Sequence, residues 1–369
     1  MRKFFYLLLV ATTGLLAIVY FVSCLTPYIS PVQLWPLAFL ALGFPYLALA
    51  VLVYIILWLL VKKKVALYLL ILLLLGFSNI TSTIGFNIFS TEAPGREATL
   101  RVLAWNVRNF DNPANHADSA NSVRRRMFRY IQQVNADVLL LQEMTEYVGP
   151  SFLSNNITLR QLGYKYYYKP KEIDNVHPYG TLQQGNAIFS KYPLIDTGSM
   201  VLNDPSYPQK ILYADIQFEG KPVRLITTHF RSFHLFAKKK HDPPVPFHND
   251  TGFINNSSNF QKLKVIQQDH AEQAAATRKY IEASPYPVVF AADMNSVPAS
   301  YAYHKTRGNM RDAFLSKSWG LGGSMDSMPK TLRIDHILVN KEIDIMYYKQ
   351  QRLSLSDHYP HFADLKWKR

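Results

Sequence analysis

The first 80 residues contain no aspartate or glutamate, and their only basic residues are Arg2, Lys3 and the run Lys62–Lys64. A stretch so poor in charge is neither the surface of a soluble domain nor a disordered chain. Cysteine is nearly missing too: Cys24 is the only one. A single thiol excludes disulfides and cysteine metal centres from all that follows it, although it does not fix the compartment. There is no repeat of 20–50 residues and no low-complexity tract, so solenoids and other repeat architectures are excluded as well. What is present is a greasy chain of 369 residues, 49% hydrophobic and 18% charged, in two unlike parts. Five of its 40 basic residues lie in the first 80 positions, so 35 stand against all 26 acidic ones from Thr81 onward, a net +9. That second part is long enough for a large core.

Three apolar stretches precede residue 90. Phe4–Leu25 and Leu34–Val61, the latter carrying Pro36 and Pro45, each exceed what a helix needs to cross about 30 Å of hydrocarbon. The third, Val65 to about Ile80, fades into Ser78, Asn79 and Thr81–Thr83. The first ends in no small-x-small cleavage site, which argues against a signal peptide, and Phe-Val-Ser-Cys lacks the leucine of a lipoprotein box. Positive charge stays in the cytoplasm. Keeping both basic clusters there sends everything after residue 90 to the far side. The expectation is a multi-pass anchor over residues 1–89 with three transmembrane helices, a linker over 90–98, and a domain over 99–369 outside the cytoplasm. In a Gram-negative host that is the periplasmic face of the inner membrane.

In the second part, strand-like runs cover Thr99–Asn106, Asp137–Gln142, Lys165–Tyr168, Asn186–Ser190, Leu212–Phe218, Val223–Thr228, Val288–Ala292, Ile334–Val339 and Ile343–Tyr348. Helical spacing marks Val123–Val134 and Phe260–Ile281. Many strands with few helices suggest sheets packed face to face under outer helices. Polar residues recur where these runs end: Asn106, Glu143, His229, Asp293 with Asn295, Asp335 with His336, and Asp357 with His358. A strand end is where a sheet interior opens to solvent, so such side chains can share one rim. Each alone suits a cap, a turn or a core hydrogen bond; six such places in one chain do not. His336 neighbours Asp335 on a strand and therefore points to the other face.

Taken in order, the blocks LRVLAWNVRNF, DVLLLQEM, GNAIFSKYPL, LITTHFRS, VVFAADMNS, RIDHILV and SLSDHYPHFADL resemble the endonuclease/exonuclease/phosphatase superfamily, with its deoxyribonuclease-I-like fold. They run from about residue 99 to 367. The resemblance implies an α/β fold, a four-layer α/β/β/α sandwich behind about three transmembrane helices, with its active site at one edge of two packed sheets. It implies a metal-dependent phosphoric ester hydrolase, and the residues agree with that chemistry. Glu143 is the leading metal ligand, a hard carboxylate suited to Mg²⁺ or Mn²⁺, with Asn106 and Asp357 completing the shell directly or through water. His358 resembles the catalytic histidine, oriented by Asp335. Asp293 positions or deprotonates the attacking water, and Asp293 and His358 could exchange acid and base roles. Asn295 and His229 would donate hydrogen bonds to the phosphate. Two further residues are candidates for substrate binding: Asn186, beside Gly185, and Arg231, two positions past His229.

The substrate must be read from loops, since one fold serves many esters. Phe233–Asn259 is rich in aromatics, histidine and proline, and it carries Lys238–Lys240. Net positive charge favours a nuclease acting on a polyanion. Tethering beside lipid favours a phospholipid or sphingolipid phosphodiesterase, and an inactive binding module is the remote third reading. The preference is slightly for nucleic acid. The expected partners are a phosphodiester substrate and the lipid bilayer, with no protein partner.

Overall fold

The computed structural model of the chain describes residues 2–88, 99–110, 122–148, 154–170, 173–177, 180–202, 209–233, 257–326 and 328–368. The expected linker at 90–98 and residues 234–256 of the lysine-bearing loop lie outside these.

The apolar stretches form α1 (Arg2–Cys24), the short α2 (Pro31–Leu34), α3 (Leu37–Val61), α4 (Lys63–Leu75) and α5 (Phe77–Thr83). α1 and α3 are each long and apolar enough to span a membrane; α4 and α5 qualify only together, bent by 60°. Pro36 precedes the first turn of α3, where a missing N–H costs nothing. The bend of the third stretch falls at Gly76, where an added Cβ would lie 2.1 Å from the Tyr20 hydroxyl and 3.2 Å from Cys24 Sγ. Glycine there lets α1 press against the joint. Tyr20, Phe44, Val51, Trp58, Ala66 and Leu69 meet in the middle, and Trp58 Nε1 donates to Thr13 Oγ1 at 2.8 Å. The outer faces, with Leu15, Ile18, Leu52, Ile56 and Leu60, are exposed.

The remainder runs β1 (Gly85–Phe86), β2 (Leu100–Asn106), α6 (Val123–Val134), β3 (Val138–Val148), α7 (Asn155–Gln161), β4 (Tyr166–Tyr168), β5 (Ile173–His177), β6 (Gly180–Ser190), β7 (Leu194–Val201), β8 (Lys210–Phe218), β9 (Lys221–His229) and α8 (Ser257–Glu282). β10 (Val288–Asp293), α9 (Tyr301–Arg307), β11 (Arg311–Asp312), α10 (Ala313–Lys317), β12 (Trp319–Gly320), β13 (Asp335–Val339), β14 (Ile343–Gln350) and β15 (His361–Trp367) follow. One sheet has the order β14-β15-β2-β3-β6-β4, with β5 beside β6; the other has β11-β13-β10-β9-β8-β7.

Alternation along the strands explains the layers. Val102, Ala104, Val138 and Leu140 of the first sheet meet Leu212, Ala214, Leu225, Val289 and Ala291 of the second, in one core between the sheets. Leu103, Trp105, Leu139 and Leu141 turn the other way, under Met127, Phe128 and Ile131 of α6. Ile226, Phe290, Ala292 and Leu338 pack outward beneath Ala274 and Ile281 of α8 and Ala302 and Tyr303 of α9. Strands buried on both faces read as unbroken apolar runs, and these do. The result is the α/β/β/α sandwich. Each sheet also carries a two-pronged ion pair between directly opposed residues: Arg101 with Asp364 at 2.6 and 2.7 Å, and Arg224 with Asp215 at 2.7 Å.

Phe290 is fully buried, so Phe290→Ala should cost about 3–5 kcal/mol. The thermal midpoint of the detergent-solubilised chain is expected to fall accordingly, whereas Ile195→Ala, on an exposed side chain, should change it little.

Candidate active site

The register of the strands brings the polar residues together. β9 and β10 run parallel with His229 opposite Asp293, and β13 runs antiparallel to β10 with Asp335 opposite Asp293. His229, Asp293 and Asp335 thus occupy one rung of the second sheet, and side chains on one rung share a face. The first sheet supplies Asn106 at the end of β2. It supplies Glu143 through a bulge in β3: Leu141 pairs with Ala187 but Met144 with Gly185, so Gln142 and Glu143 together oppose Asn186. Glu143 takes the left-handed conformation there, with φ 50°, and Asn295 does the same just past β10, with φ 45°. Such backbone costs a non-glycine residue roughly 1–3 kcal/mol and persists only where the surroundings fix it. Bulges beside functional sites re-aim side chains in this way.

Asp293 is the hub. Its Oδ2 accepts a hydrogen bond from Asn106 Nδ2 at 3.0 Å and lies 3.3 Å from His229 Nε2 and 3.5 Å from His358 Nε2. Its Oδ1 accepts the Asn295 backbone N–H at 3.0 Å. The same Asn106 amide donates to Glu143 Oε1 at 3.1 Å, and that oxygen lies 4.0 Å from His229 Nε2. On its other side His358 Nδ1 meets Asp335 Oδ2 at 2.9 Å. Trp105 holds the His358 carbonyl through its ring N–H at 3.0 Å.

Burial alone would push the Asp293 carboxyl up, but His358 and His229, with the hydrogen bonds from His229 and Asn106, hold it well below the usual range. Burial likewise pulls His358 down, and the carboxylates of Asp335 and Asp293 outweigh it, leaving the imidazole well above its ordinary value. His229 is raised too, because Asp293 and Glu143 outweigh its burial. For Asp335 burial wins over the neighbouring His358, and the carboxyl is raised. These directions favour an ionised Asp293 beside a protonated His358, and they shift His229 toward its charged form.

Asp357 stands at the edge of this group. Its side chain is about a third exposed and its Oδ2 lies 3.7 Å from Arg108 Nε. Two residues expected near the substrate are not brought into the cluster. Asn186 is buried and donates to the Lys210 carbonyl at 3.0 Å, a bond between the two sheets. Arg231 lies beyond the end of β9, where strand alternation no longer sets direction, and its guanidinium pairs with Asp269 of α8. The Asn295 amide donates to the Phe230 carbonyl at 3.0 Å, holding the segment after β10 to the end of β9. His336 points away from the rim, with Nε2 3.2 Å from the Ser296 carbonyl and Nδ1 3.5 Å from Asp312 Oδ2.

Arg108 was not singled out by the sequence, although it sits two positions past Asn106. Its backbone N–H donates to Asn106 Oδ1 at 3.1 Å. With Asn109 and Phe110 it forms three successive left-handed residues, φ 40°, 61° and 54°. No composition signal marks it; only the chain reversal directly after a strand end does.

Glu143, Asp357 and Asn106 are oxygen donors of the kind that suits a hard divalent cation. Glu143 has a partly exposed carboxylate, Asp357 has another, and the Asn106 side-chain oxygen can accept more than its bond from Arg108. Asp293, Asp335 and His358 also bring ligand atoms within 4.8 Å of one another. Both His358 nitrogens face carboxylates there, however, and a protonated ring has no lone pair to give.

The family model described as Endonuclease/Exonuclease/phosphatase family matches residues 103–358, and one described as a domain of unknown function matches residues 2–83. No curated protein matches the chain. Among solved structures, the human Nocturnin catalytic domain with bound sulfate anion is similar at a TM-score of 0.51 and 14% identity, over 75% of this chain and 96% of that one. An endonuclease/exonuclease/phosphatase from Beutenbergia cavernae is similar at 0.50 and 17%, over 73% and 72%. Identities this low carry the shared fold and nothing finer.

The His358 ring is expected to stay protonated to well above pH 6.5, as read by histidine-selective NMR titration. Asp335→Asn removes the nearest negative charge, so it should move that titration to lower pH; a titration that stays in place would show that Asp335 does not set it.

Proposed function

The chain belongs to the endonuclease/exonuclease/phosphatase family, and from that premise we propose a membrane-anchored, divalent-cation-dependent hydrolase that cleaves a phosphodiester with an activated water. The observation that carries this reading is Asp293, a buried carboxyl within 3.5 Å of two histidines and joined through Asn106 to Glu143. Attack on a phosphodiester needs a proton acceptor for water, donors for the charge that develops, and neutralisation of the phosphate oxygens. Asp293 accepts the proton, since its depressed affinity keeps it ionised. His229 and His358 donate to the phosphate oxygens and to the departing oxygen, and Asp335 fixes the His358 ring. Asn295 presents its backbone N–H to Asp293 and so aims the carboxylate. Mg²⁺ or Mn²⁺, held by Glu143 with Asn106 and Asp357, would supply positive charge for the phosphate oxygens when bound.

Nucleic acid is the first substrate reading, on the net +9 from Thr81 onward. A phospholipid or sphingolipid head group is the second, because residues just past Asn295 contact the ends of the membrane helices. The topology proposed has residues 1–89 as anchor, 99–369 as catalytic domain, and that domain outside the cytoplasm. It rests on Arg2 and Lys3 at the start of α1 and Lys62–Lys64 at the junction of α3 and α4, the ends opposite those whose Thr26 and Ser82 contact the segment after β10.

The test uses the full chain in lipid nanodiscs, given DNA, RNA and phospholipid vesicles with Mg²⁺, Mn²⁺ or chelator. Chelation should abolish turnover, and Glu143→Gln and Asp293→Asn should each lower kcat by about 10²-fold or more. Turnover that survives all three would refute the assigned site, and turnover of vesicle lipid without DNA or RNA would replace the first substrate reading by the second. A reporter fused at the C-terminus should work only outside the cytoplasm; a cytoplasmic signal would reverse the topology.

A further inference from the structure

The segment that joins β10 to α9, Met294–Ser300, carries Asn295 and is buried along its whole length. Part of its support comes from the sandwich. Ser296 Oγ lies 3.0 Å from His270 Nδ1 of α8, the Ser296 carbonyl lies 3.2 Å from His336 Nε2, and Ser300 caps α9 by accepting the Tyr303 N–H. The rest comes from the membrane helices. Thr26, two residues past α1, donates its hydroxyl to the Ala299 carbonyl at 2.6 Å, and Ser82 of α5 donates to the Pro298 carbonyl at 3.2 Å. Asn79 joins these two points, donating to the Ser23 carbonyl at 3.1 Å with Thr26 Oγ1 at 3.4 Å. The Ser82 carbonyl in turn accepts a hydrogen bond at 2.8 Å from Arg333, a fully buried guanidinium two residues before Asp335.

Thr26, Asn79 and Ser82 are almost completely buried. A polar group hidden at the end of a membrane helix is costly unless partnered. Thr26 and Ser82 each share their hydroxyl between a carbonyl of their own segment, Ser23 at 2.8 Å and Asn79 at 3.0 Å, and a carbonyl of the segment that presents Asn295. A plain tether requires nothing of the kind; a linker would serve. The apolar packing is continuous as well, since Val297, Ala299 and Ile334 belong to the cluster built around Tyr20, Phe44 and Trp58. Asn295 needs such support, being a non-glycine residue in the left-handed region.

Resting on the phosphoesterase reading, we propose that the anchor is a positioning element of the catalytic site. Thr26 and Ser82 hold the 294–300 segment, and with it Asn295, with Asn79 bonded between them, while the Ser82 carbonyl fixes Arg333 and the start of β13 at Asp335. None of the three touches substrate; they act through Asn295 and Asp335, which orient Asp293 and His358.

The experiment compares the full chain in nanodiscs with Thr26→Val, Ser82→Ala and the double variant, and with the hydroxyl-keeping Thr26→Ser and Ser82→Thr. The double variant should lower kcat by roughly ten- to a hundred-fold, the scale of a catalytic group misplaced by about an ångström, with KM little changed. Hydrogen exchange across 294–300 should rise in the same variant, and the hydroxyl-keeping pair should restore both. Unchanged kcat would overturn the proposal, whether exchange rises or not, because the contact would then be packing alone. Should the double variant fail to fold, the near-isosteric Thr26→Val alone decides by the same two readouts. Glu143→Gln, which lies outside the contact, should lose turnover while exchange across 294–300 stays at the wild-type level. A wild-type chain inert toward every phosphodiester would refute the phosphoesterase reading, and exchange across 294–300 would then decide the contact by itself.

Discussion

A carboxylate taken out of water costs several kcal/mol unless charge and hydrogen bonds replace its solvent, and Asp293 is fully buried. Its compensation comes from far apart in the chain: Asn106 at the end of β2, His229 at the end of β9, the backbone of Asn295, and His358 before β15. Satisfying one anion therefore fixes the relative placement of both sheets at this edge. The same requirement explains why both imidazoles are shifted toward their charged forms, since each stabilises, and is stabilised by, the negative charge between them. Among the described residues, Glu143 is coupled to this arrangement through the Asn106 amide and the edge of His229. That leaves its carboxylate accessible for a cation rather than consumed by the protein.

Much of this was legible because the strands are buried on both faces and so stand out as apolar runs with a polar residue at the end. VVFAADMN and LITTHF announce both a strand and the point where it opens. The long helix was legible from its period: of Phe260, Leu263, Ile266, His270, Ala274, Thr277 and Ile281, expected on one face of α8, all but Phe260, whose side chain lies outside those described, are buried, with Ala274 and Ile281 against the sheet. His336 was separable from Asp335 by alternation alone, and the structure directs the two to opposite sides.

What escaped the sequence escaped for identifiable reasons. β15, HFADLKW, carries a histidine, an aspartate and a lysine in seven residues, and its aspartate is tolerated only because Arg101 stands opposite on β2. No single-strand pattern contains that information. α7, α9 and α10 are five to seven residues long, too short for a helical period to declare itself. Asn186 was placed near substrate by the block it begins with Gly185 and Arg231 by its spacing from His229; neither pattern could show the tertiary partners they have, the Lys210 carbonyl and Asp269. The bulge that turns Glu143 depends on a register slip against β6, which exists only once two strands have met. The broken third stretch has a similar origin, because Gly76 reads as an ordinary helix interruption until Tyr20 is seen against it.

The burial of Arg333 has a practical consequence for anyone preparing this protein. A recombinant fragment begun after the hydrophobic helices would strip that guanidinium of its acceptor at Ser82, leave the Pro298 and Ala299 carbonyls without their hydroxyl donors, and uncover Val297, Ala299 and Ile334. Such a truncation trades solubility in principle for a raw, adhesive flank in practice. Silence from it in a test tube would report a damaged preparation and not the chemistry of the intact molecule.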